Sequence, residues 1–405
     1  MQITDAIKNF LSTTGIARMF ADTNWWQYLV MYLIVGVLFY LAVVKKFEPL
    51  LLLPIAFGML LANLPGAELF HMEWFINMEG DPDWKFSLGY ILNNDKLGLI
   101  DILYIGVKLG IYPSLIFLGV GAMTDFTALI ANPKSLLIGA AAQLGVFVAF
   151  GGAVLSGLFS PMEAAAIGII GGADGPTAIY LTQTLSKYTT EDLLSAIAIA
   201  AYSYMALIPI IQKPLMKLLV PKKERQIKMK PLRTVSKLEK IIFPVVVTLV
   251  VGCLLPDAVP LLGMLMLGNL LKESGVCDRL SSQAQNGLMN TITIFLGISV
   301  GCKAYGGNFL QLQTLMIIGL GLVAFSCGTI GGLLVARLMC KLSGGKINPL
   351  IGSAGVSAVP MAARISEDVG REENPNNHLL MHALGPNVAG VIGSAIAAGF
   401  LISLF

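Results

Sequence analysis

The sequence predicts an all-α polytopic membrane protein of about ten spans, two inverted-topology repeats with paired broken or re-entrant segments. Three observations predict it: an apolar, charge-poor composition, a series of long apolar runs, and an internal repeat whose two copies carry Gly- and Pro-broken stretches. Of 405 residues, 56% are hydrophobic and 13% charged, at a mean hydropathy of +0.76; soluble domains carry about 25% charged residues. A net charge of +3 without a long basic face excludes a nucleic-acid partner. The cysteines Cys253, Cys277, Cys302, Cys327 and Cys340 have no metal or redox spacing and are expected to be small buried apolar residues.

Residues 1–24 read as an interfacial helix rather than a signal peptide: Ile3, Ile7, Phe10, Leu11 and Ile16 form a loose helical stripe ending at Trp25 and Trp26. Apolar runs long enough to span about 30 Å of hydrocarbon fall near 27–46, 49–65, 97–123, 135–159, 191–220, 241–256, 259–273, 284–303, 312–340 and 378–404. Two further stretches, 161–185 and 346–366, are apolar but broken by Gly and Pro. Unwound backbone at that depth survives only where protein or water satisfies the freed amides.

Lys and Arg of short loops mark the cytoplasmic side. Lys222, Lys223, Arg225, Lys228, Lys230, Arg233, Lys237 and Lys240 place 221–240 there, with Lys45 and Lys46, whereas Glu68, Glu73, Glu79, Asp81, Asp83 and Asp95 place loop 66–96 outside. Counting spans between these anchors sends 161–185 in from the outer side and 346–366 in from the cytoplasm. The repeat supports that inversion. Ile167, Gly168, Gly171, Pro176 and Ala178 align with Ile351, Gly352, Gly355, Pro360 and Ala362. Ile116-Phe117-Leu118-Gly119 returns as Ile294-Phe295-Leu296-Gly297, and Pro54 with Asn63-Leu64 returns as Pro260 with Asn269-Leu270. The chain thus divides into a first membrane repeat over 25–220, a cytoplasmic basic linker over 221–240 and a second repeat over 241–405.

Within the first broken stretch, Gly171-Gly172-Ala173-Asp174-Gly175-Pro176-Thr177 holds a single carboxylate in uncharged surroundings. An Asp at a helix centre in lipid costs roughly 2.5–3.5 kcal/mol, so it persists where protein, water or a bound cation replaces its hydration. A Na⁺ ion seeks one negative charge and several neutral oxygens. Asp174 offers the charge; Thr177, Tyr202, Ser203, Tyr204, Asn348, Ser353, Ser357 and Asn387 offer neutral oxygens, with carbonyls around Gly171, Gly172 and Gly352.

Each of these has a structural reading beside the functional one. Asp174 also suits the cap of a helix beginning at Pro176. Tyr202 and Tyr204 also suit packing, Asn387 the amides freed by Pro386, Ser353 and Ser357 close helix contact, and Gly352 backbone shape. Arg364 reads equally as a positive-inside anchor or as a bidentate clamp for an anion arriving from the cytoplasm. Asp101, Lys108, Glu163 and Lys303 are expected at solvated helix ends, and His378 and His382 at the interface.

The run Gly171 to Tyr180, with Ala201-Tyr202-Ser203-Tyr204-Met205-Ala206-Leu207 and Asn348-Pro349-Leu350-Ile351-Gly352 onward to Arg364, resembles the beta subunit of sodium-translocating biotin-dependent decarboxylases over nearly the whole chain. The resemblance implies a carboxybiotin decarboxylase of the translocase class that couples CO₂ release to Na⁺ export. It carries Na⁺ and coupling roles to Asp174, Tyr204, Asn348, Gly352, Ser357 and Asn387, and the carboxybiotin end to Arg364, favouring Tyr204 over Tyr202. It implies partners too: a carboxyltransferase alpha subunit, a biotin carrier protein holding the biotin, a small membrane gamma or delta subunit, and further copies of the chain in a bacterial inner-membrane complex. Loop 66–96 and linker 221–240 depart from the family pattern, which bears on partner contacts. Lys228-Met229-Lys230 lacks a surrounding carrier domain. The alternative, carried by the same residues, is a Na⁺- or H⁺-coupled secondary transporter of an organic anion.

Overall fold

A computed structural model describes residues 10–46, 48–75, 86–186 and 193–405, without the side chains of 203–206 and 308. All regular structure among the described residues is helical. A short exposed helix, α1 (Gly15–Ala21), is capped by Thr14 and leads into α2 (Trp25–Phe39) and α3 (Pro49–Ala62); positions 1–9 of the expected interfacial helix lie outside the described residues.

The run 97–123 is not one continuous helix. It forms α4 (Leu99–Lys108) and α5 (Ile111–Met123), bent by 69° at a left-handed Gly110. Next come α6 (Ser135–Ala142) and α7 (Leu144–Ser156), which together are long and apolar enough to cross a membrane. The first broken stretch is α8 (Pro161–Gly168), a 3₁₀ turn Ile169–Gly172, and α9 (Gly175–Leu185), followed by α10 (Leu194–Leu219). The second half supplies α11 (Lys237–Leu254), α12 (Val259–Ser274), α13 (Met289–Cys302) and α14 (Leu312–Leu342). Its broken stretch is a 3₁₀ turn Pro349–Gly355 and α15 (Met361–Glu373), and α16 (Leu380–Ser403) ends the fold.

Four described helices, or up to six if each bent pair is one span, are long and apolar enough to cross a membrane. The other expected spans are shorter or interrupted helices. The 14 residues of α3 rise only about 21 Å, so such helices depend on their neighbours for depth.

Those neighbours come from the opposite half. Helix α3 packs along α13, and α5 along α12, with glycines closing the distance: a Cβ on Gly58 would fall 2.3 Å from the Ile298 carbonyl oxygen, and one on Gly268 2.0 Å from that of Leu118. The two asparagines matched in the sequence repeat do equivalent work. Asn63 Nδ2 donates to the Ala304 carbonyl just beyond α13 (2.8 Å), and Asn269 Nδ2 to the Thr124 carbonyl just beyond α5 (3.2 Å). Helix α14 touches α7, α10 and both 3₁₀ turns, while α16 lies against α6.

Several expected solvated ends are buried instead. Asp101 is fully enclosed, accepting from the backbone N–H groups of His71 and Gly98 (2.9 and 3.0 Å) and lying 3.0 Å from His71 Nδ1. Lys303 is 1% exposed, donating to Tyr104 Oη at 2.8 Å. Lys108 lies over the Phe86 ring. Glu163 closes a capping box with Ser160 at the start of α8. His382 is buried, whereas His378 is exposed beside Glu367. Of the cysteines, Cys302 and Cys340 are buried; Cys253 is exposed and the other two are intermediate. The shared cause is short-range capping and packing partners that a hydropathy profile does not register.

The basic linker is folded against the second broken stretch. Arg225 pairs with Glu373 (2.8 Å), Glu224 with Arg337 (3.0 Å), and Glu372 with Lys213 and Lys217. At its far end, the hydrogen bond from Arg233, aided by the Ser236 backbone N–H, lowers the Glu239 carboxyl to about 2. Glu239 thereby stays anionic as it caps α11.

Candidate cation site at the crossing of the broken segments

The two unwound segments touch. The Ser357 backbone N–H donates to the Gly172 carbonyl oxygen at 3.1 Å, and each segment is also pressed by a glycine against a helix, the first against α7 and the second against α14. A Cβ on Gly171 would fall 2.3 Å from the carbonyl carbon of Gly145, and one on Gly352 2.4 Å from the carbonyl oxygen of Gly332. Ala173 turns the chain between the 3₁₀ turn and α9 at φ +56°, a left-handed conformation uncommon for a residue bearing a Cβ.

Asp174 caps α9, as the structural reading required: its Oδ1 accepts from the Thr177 N–H at 3.3 Å. Capping does not account for the whole carboxylate. Oδ2 accepts from Ser394 Oγ of α16 at 2.7 Å, the residue is 7% exposed, and no Lys, Arg or His pairs with it among the described ion pairs. Its compensation is the N-terminus of α9 and hydrogen bonds from neutral donors.

On the residues that meet at this crossing are buried oxygens without a hydrogen-bond partner. Thr177 Oγ1, Ser357 Oγ and Asn387 Oδ1 are without partners, as are Tyr202 Oη and Gln143 Oε1. The orientation of Asn387 follows from donor arithmetic: its Nδ2 donates to the carbonyls of Ala354, Val356 and Ala358 at 3.0, 2.7 and 3.3 Å, which turns Oδ1 the other way. Tyr202 rests on Gly175, where a Cβ would fall 2.8 Å from the tyrosine hydroxyl.

Other expected ligands stand elsewhere. Asn348 has both ends of its amide occupied: Oδ1 accepts from the Leu350 N–H (3.0 Å), and Nδ2 donates to the carbonyls of Arg225 and Ile227 (2.9 Å each). In this arrangement it ties the linker to the start of the second 3₁₀ turn. Ser353 bonds the Leu350 carbonyl and Ser366. Gly352 provides the close crossing with α14. Arg364 is exposed on α15 and makes no ion pair among the described residues. Ser203 and Tyr204 fall on α10, where their side chains lie outside the described residues.

Sequence reasoning missed Gln143, Gln212 and Ser394. Gln212 Nε2 holds the Ser353 carbonyl at 2.8 Å. Ser394 had a signal, since it follows Asn387 by seven residues and so shares its helix face; Gln143 had a weaker one, a lone amide in the apolar run 135–156.

One carboxylate among neutral oxygens, where two unwound segments cross inside a helical bundle, belongs to the ion-translocating class of polytopic membrane proteins. Among the described residues no group of three or more His, Cys, Asp or Glu could hold a metal ion. The chain belongs to the family of Na⁺-transporting oxaloacetate decarboxylase beta subunits, whose pattern matches residues 27–405. It is 56% identical to the methylmalonyl-CoA decarboxylase subunit beta of Propionigenium modestum over 99% of both chains. It is also 56% identical to the glutaconyl-CoA decarboxylase subunit beta of Acidaminococcus fermentans, over 94% of this chain and 93% of the relative. Against the oxaloacetate decarboxylase beta chain of Klebsiella pneumoniae the figure is 53%, over 92% and 94%. The family decides between the two functions the residues allowed: this is the membrane beta subunit of a Na⁺-transporting decarboxylase, not a secondary transporter.

Proposed function

We propose that Asp174 is the carboxylate that couples decarboxylation to Na⁺ export, holding either Na⁺ or a proton at the crossing. The observation carrying this is a buried carboxylate with no basic partner among the described residues, set among oxygens that accept nothing. A cation there would satisfy the charge and the empty lone pairs together. Thr177, Ser357 and Asn387 are the neutral ligands in this reading. Asn348 and Gly352 shape the second segment, and Tyr204 keeps its coupling role on the family resemblance alone.

The reading extends to the cytoplasmic face. An exposed guanidinium without an ion pair suits a carboxylate-bearing ring, so Arg364 is proposed to hold the carboxybiotin of a partner carrier. When bound, that group supplies a labile N-carboxylate whose release as CO₂ takes up one proton. Arg364 orients the carboxylate, and Asp174 gives up its proton as it takes Na⁺. Each Na⁺ moved against 100 mV requires about 2.3 kcal/mol, so Asp174 must not exchange Na⁺ freely with both faces.

The chain divides, in this reading, at the linker 221–240 into two inverted repeats, 25–220 and 241–405, and the interlocking of α3 with α13 and α5 with α12 supports that division. The complex we infer contains a carboxyltransferase alpha subunit, a biotin carrier protein, a small membrane subunit and further copies of this chain in a bacterial inner membrane. The test is Na⁺-dependent decarboxylation and Na⁺ uptake into vesicles by the intact complex, with Asp174→Asn beside wild type. Loss of Na⁺ stimulation and of uptake is expected; a variant that still pumps Na⁺ would remove Asp174 from the mechanism.

A further inference from the structure

Gln143 lies at the break between α6 and α7, 6% exposed. Its Nε2 donates to the carbonyls of Gly139 (3.4 Å) and Gly390 (3.3 Å), and its Oε1 has no partner. Because the amide nitrogen is held against α16, the oxygen faces the other way, toward Gly172: a Cβ on Gly172 would lie 3.4 Å from Gln143 Oε1 and 3.3 Å from Ser394 Cβ. Gly172, a glycine of the first 3₁₀ turn, thus separates two polar side chains that neither broken segment supplies. One of them, Ser394, already contacts Asp174.

Ser394 carries one hydroxyl proton and has two acceptors, Asp174 Oδ2 at 2.7 Å and the Val391 carbonyl at 3.0 Å. With the proton on Asp174, the carboxylate is satisfied without a cation. With the proton turned to Val391, Ser394 Oγ and Asp174 Oδ2 both present lone pairs to the same space. A rotation about one bond therefore exchanges a hydrogen bond for two cation ligands.

We propose that Gln143 and Ser394 complete the Na⁺ site, with Ser394 filling in for the ion when the site is empty and Gln143 setting the size of ion accepted; this rests on the Asp174 site proposed above. The space beside Gly172 is bounded by Gln143 Oε1 and by Ser394 Cβ, whose hydroxyl reaches on to Asp174. A methyl group at Gly172 would lie 3.3–3.4 Å from both side chains and would have to push one of them aside by a few tenths of an ångström.

The experiment measures half-saturating Na⁺, kcat at saturating Na⁺ and the Na⁺ to Li⁺ activity ratio on the intact complex, with thermal unfolding alongside. Gln143→Leu and Ser394→Ala are each expected to raise half-saturating Na⁺ about tenfold, the loss of roughly one ligand contact, and Gly172→Ala, which crowds both side chains, to raise it in the same direction. The fall in kcat should be smaller, and Gln143→Leu should change the Na⁺ to Li⁺ ratio. Gln143→Glu, which keeps an oxygen and loses the donor, should restore Na⁺ affinity relative to Gln143→Leu. If the variants lower thermal stability while half-saturating Na⁺ and the ion ratio stay at wild-type values, both residues are packing groups and the proposal fails. Should Gln143→Leu not fold, Gly172→Ala decides alone, because it removes neither side chain. Asp174→Asn separates the two levels: Na⁺ binding that survives in it defeats the Asp174 site itself, whereas Na⁺ binding lost there but unmoved in the other variants defeats only the completed site.

Discussion

The two broken segments share a sequence pattern but have different chemistry. The first, α8 to α9, has regular helix on both sides of its 3₁₀ turn, a strained Ala173 and, at its unwound centre, the carboxylate of Asp174. The second begins directly in a 3₁₀ turn, carries no charge until Arg364, and offers carbonyls and hydroxyls, most of which other side chains already hold. In the proposed reading one segment brings the charge and the other the neutral frame of a cation site at their crossing. In the sequence alignment of the two segments Asp174 falls opposite Ala358, so the charge is carried by one segment alone.

Wedging the first segment off α7 should have the largest effect. Gly171→Ala puts a methyl into the backbone of Gly145, an overpacking expected to destabilise by about 3 kcal/mol or more. Thermal unfolding in detergent or loss of folded yield would register it, and a stable variant would mean the first segment does not press against α7. The next comparison sets Asn387→Ala against Asn348→Ala. Both leave buried carbonyls without donors and should each cost roughly 1–3 kcal/mol of stability. Only Asn387→Ala should also raise the Na⁺ requirement, because only its Oδ1 is open. Equal Na⁺ effects would return Asn348 to the ligand shell.

At the cytoplasmic end, Arg364→Ala is expected to change stability by less than about 0.5 kcal/mol, as for an exposed residue without partners. Decarboxylation should nevertheless fall at least about tenfold, with Arg364→Lys recovering only part, since a bidentate fork is lost. Unfolding curves beside turnover of the intact complex make the comparison. The smallest effect is expected at Ala173→Gly, which relieves a left-handed residue and should leave stability within about 1 kcal/mol of wild type, on the favourable side; a clear loss would show that the methyl group itself packs at the crossing.

Much of this was legible before any coordinates. The broken segments, their pairing and Asp174 stood out because Gly, Pro and a lone carboxylate interrupt apolar runs, and hydropathy is sensitive to that interruption. The repeat reached even to Asn63 and Asn269, whose matched positions perform matched hydrogen bonds. Hydropathy was less informative where geometry decides. It could not distinguish Asn348, whose amide is occupied at both ends, from Asn387, whose oxygen is open. It placed Asp101 and Lys303 in water, although capping and a tyrosine enclose them. Gln143 and Ser394 were passed over because isolated small polar residues on apolar helices have no pattern until the helices are packed.

The central claim, that the charge of the first segment holds Na⁺ within the frame of the second, is tested most directly by Na⁺-induced infrared difference spectroscopy on the intact complex. The account predicts a carboxylate-stretch shift on adding Na⁺ that vanishes in Asp174→Asn and persists in Asn348→Ala. An unchanged difference spectrum in Asp174→Asn would place the Na⁺-binding carboxylate elsewhere and contradict the account.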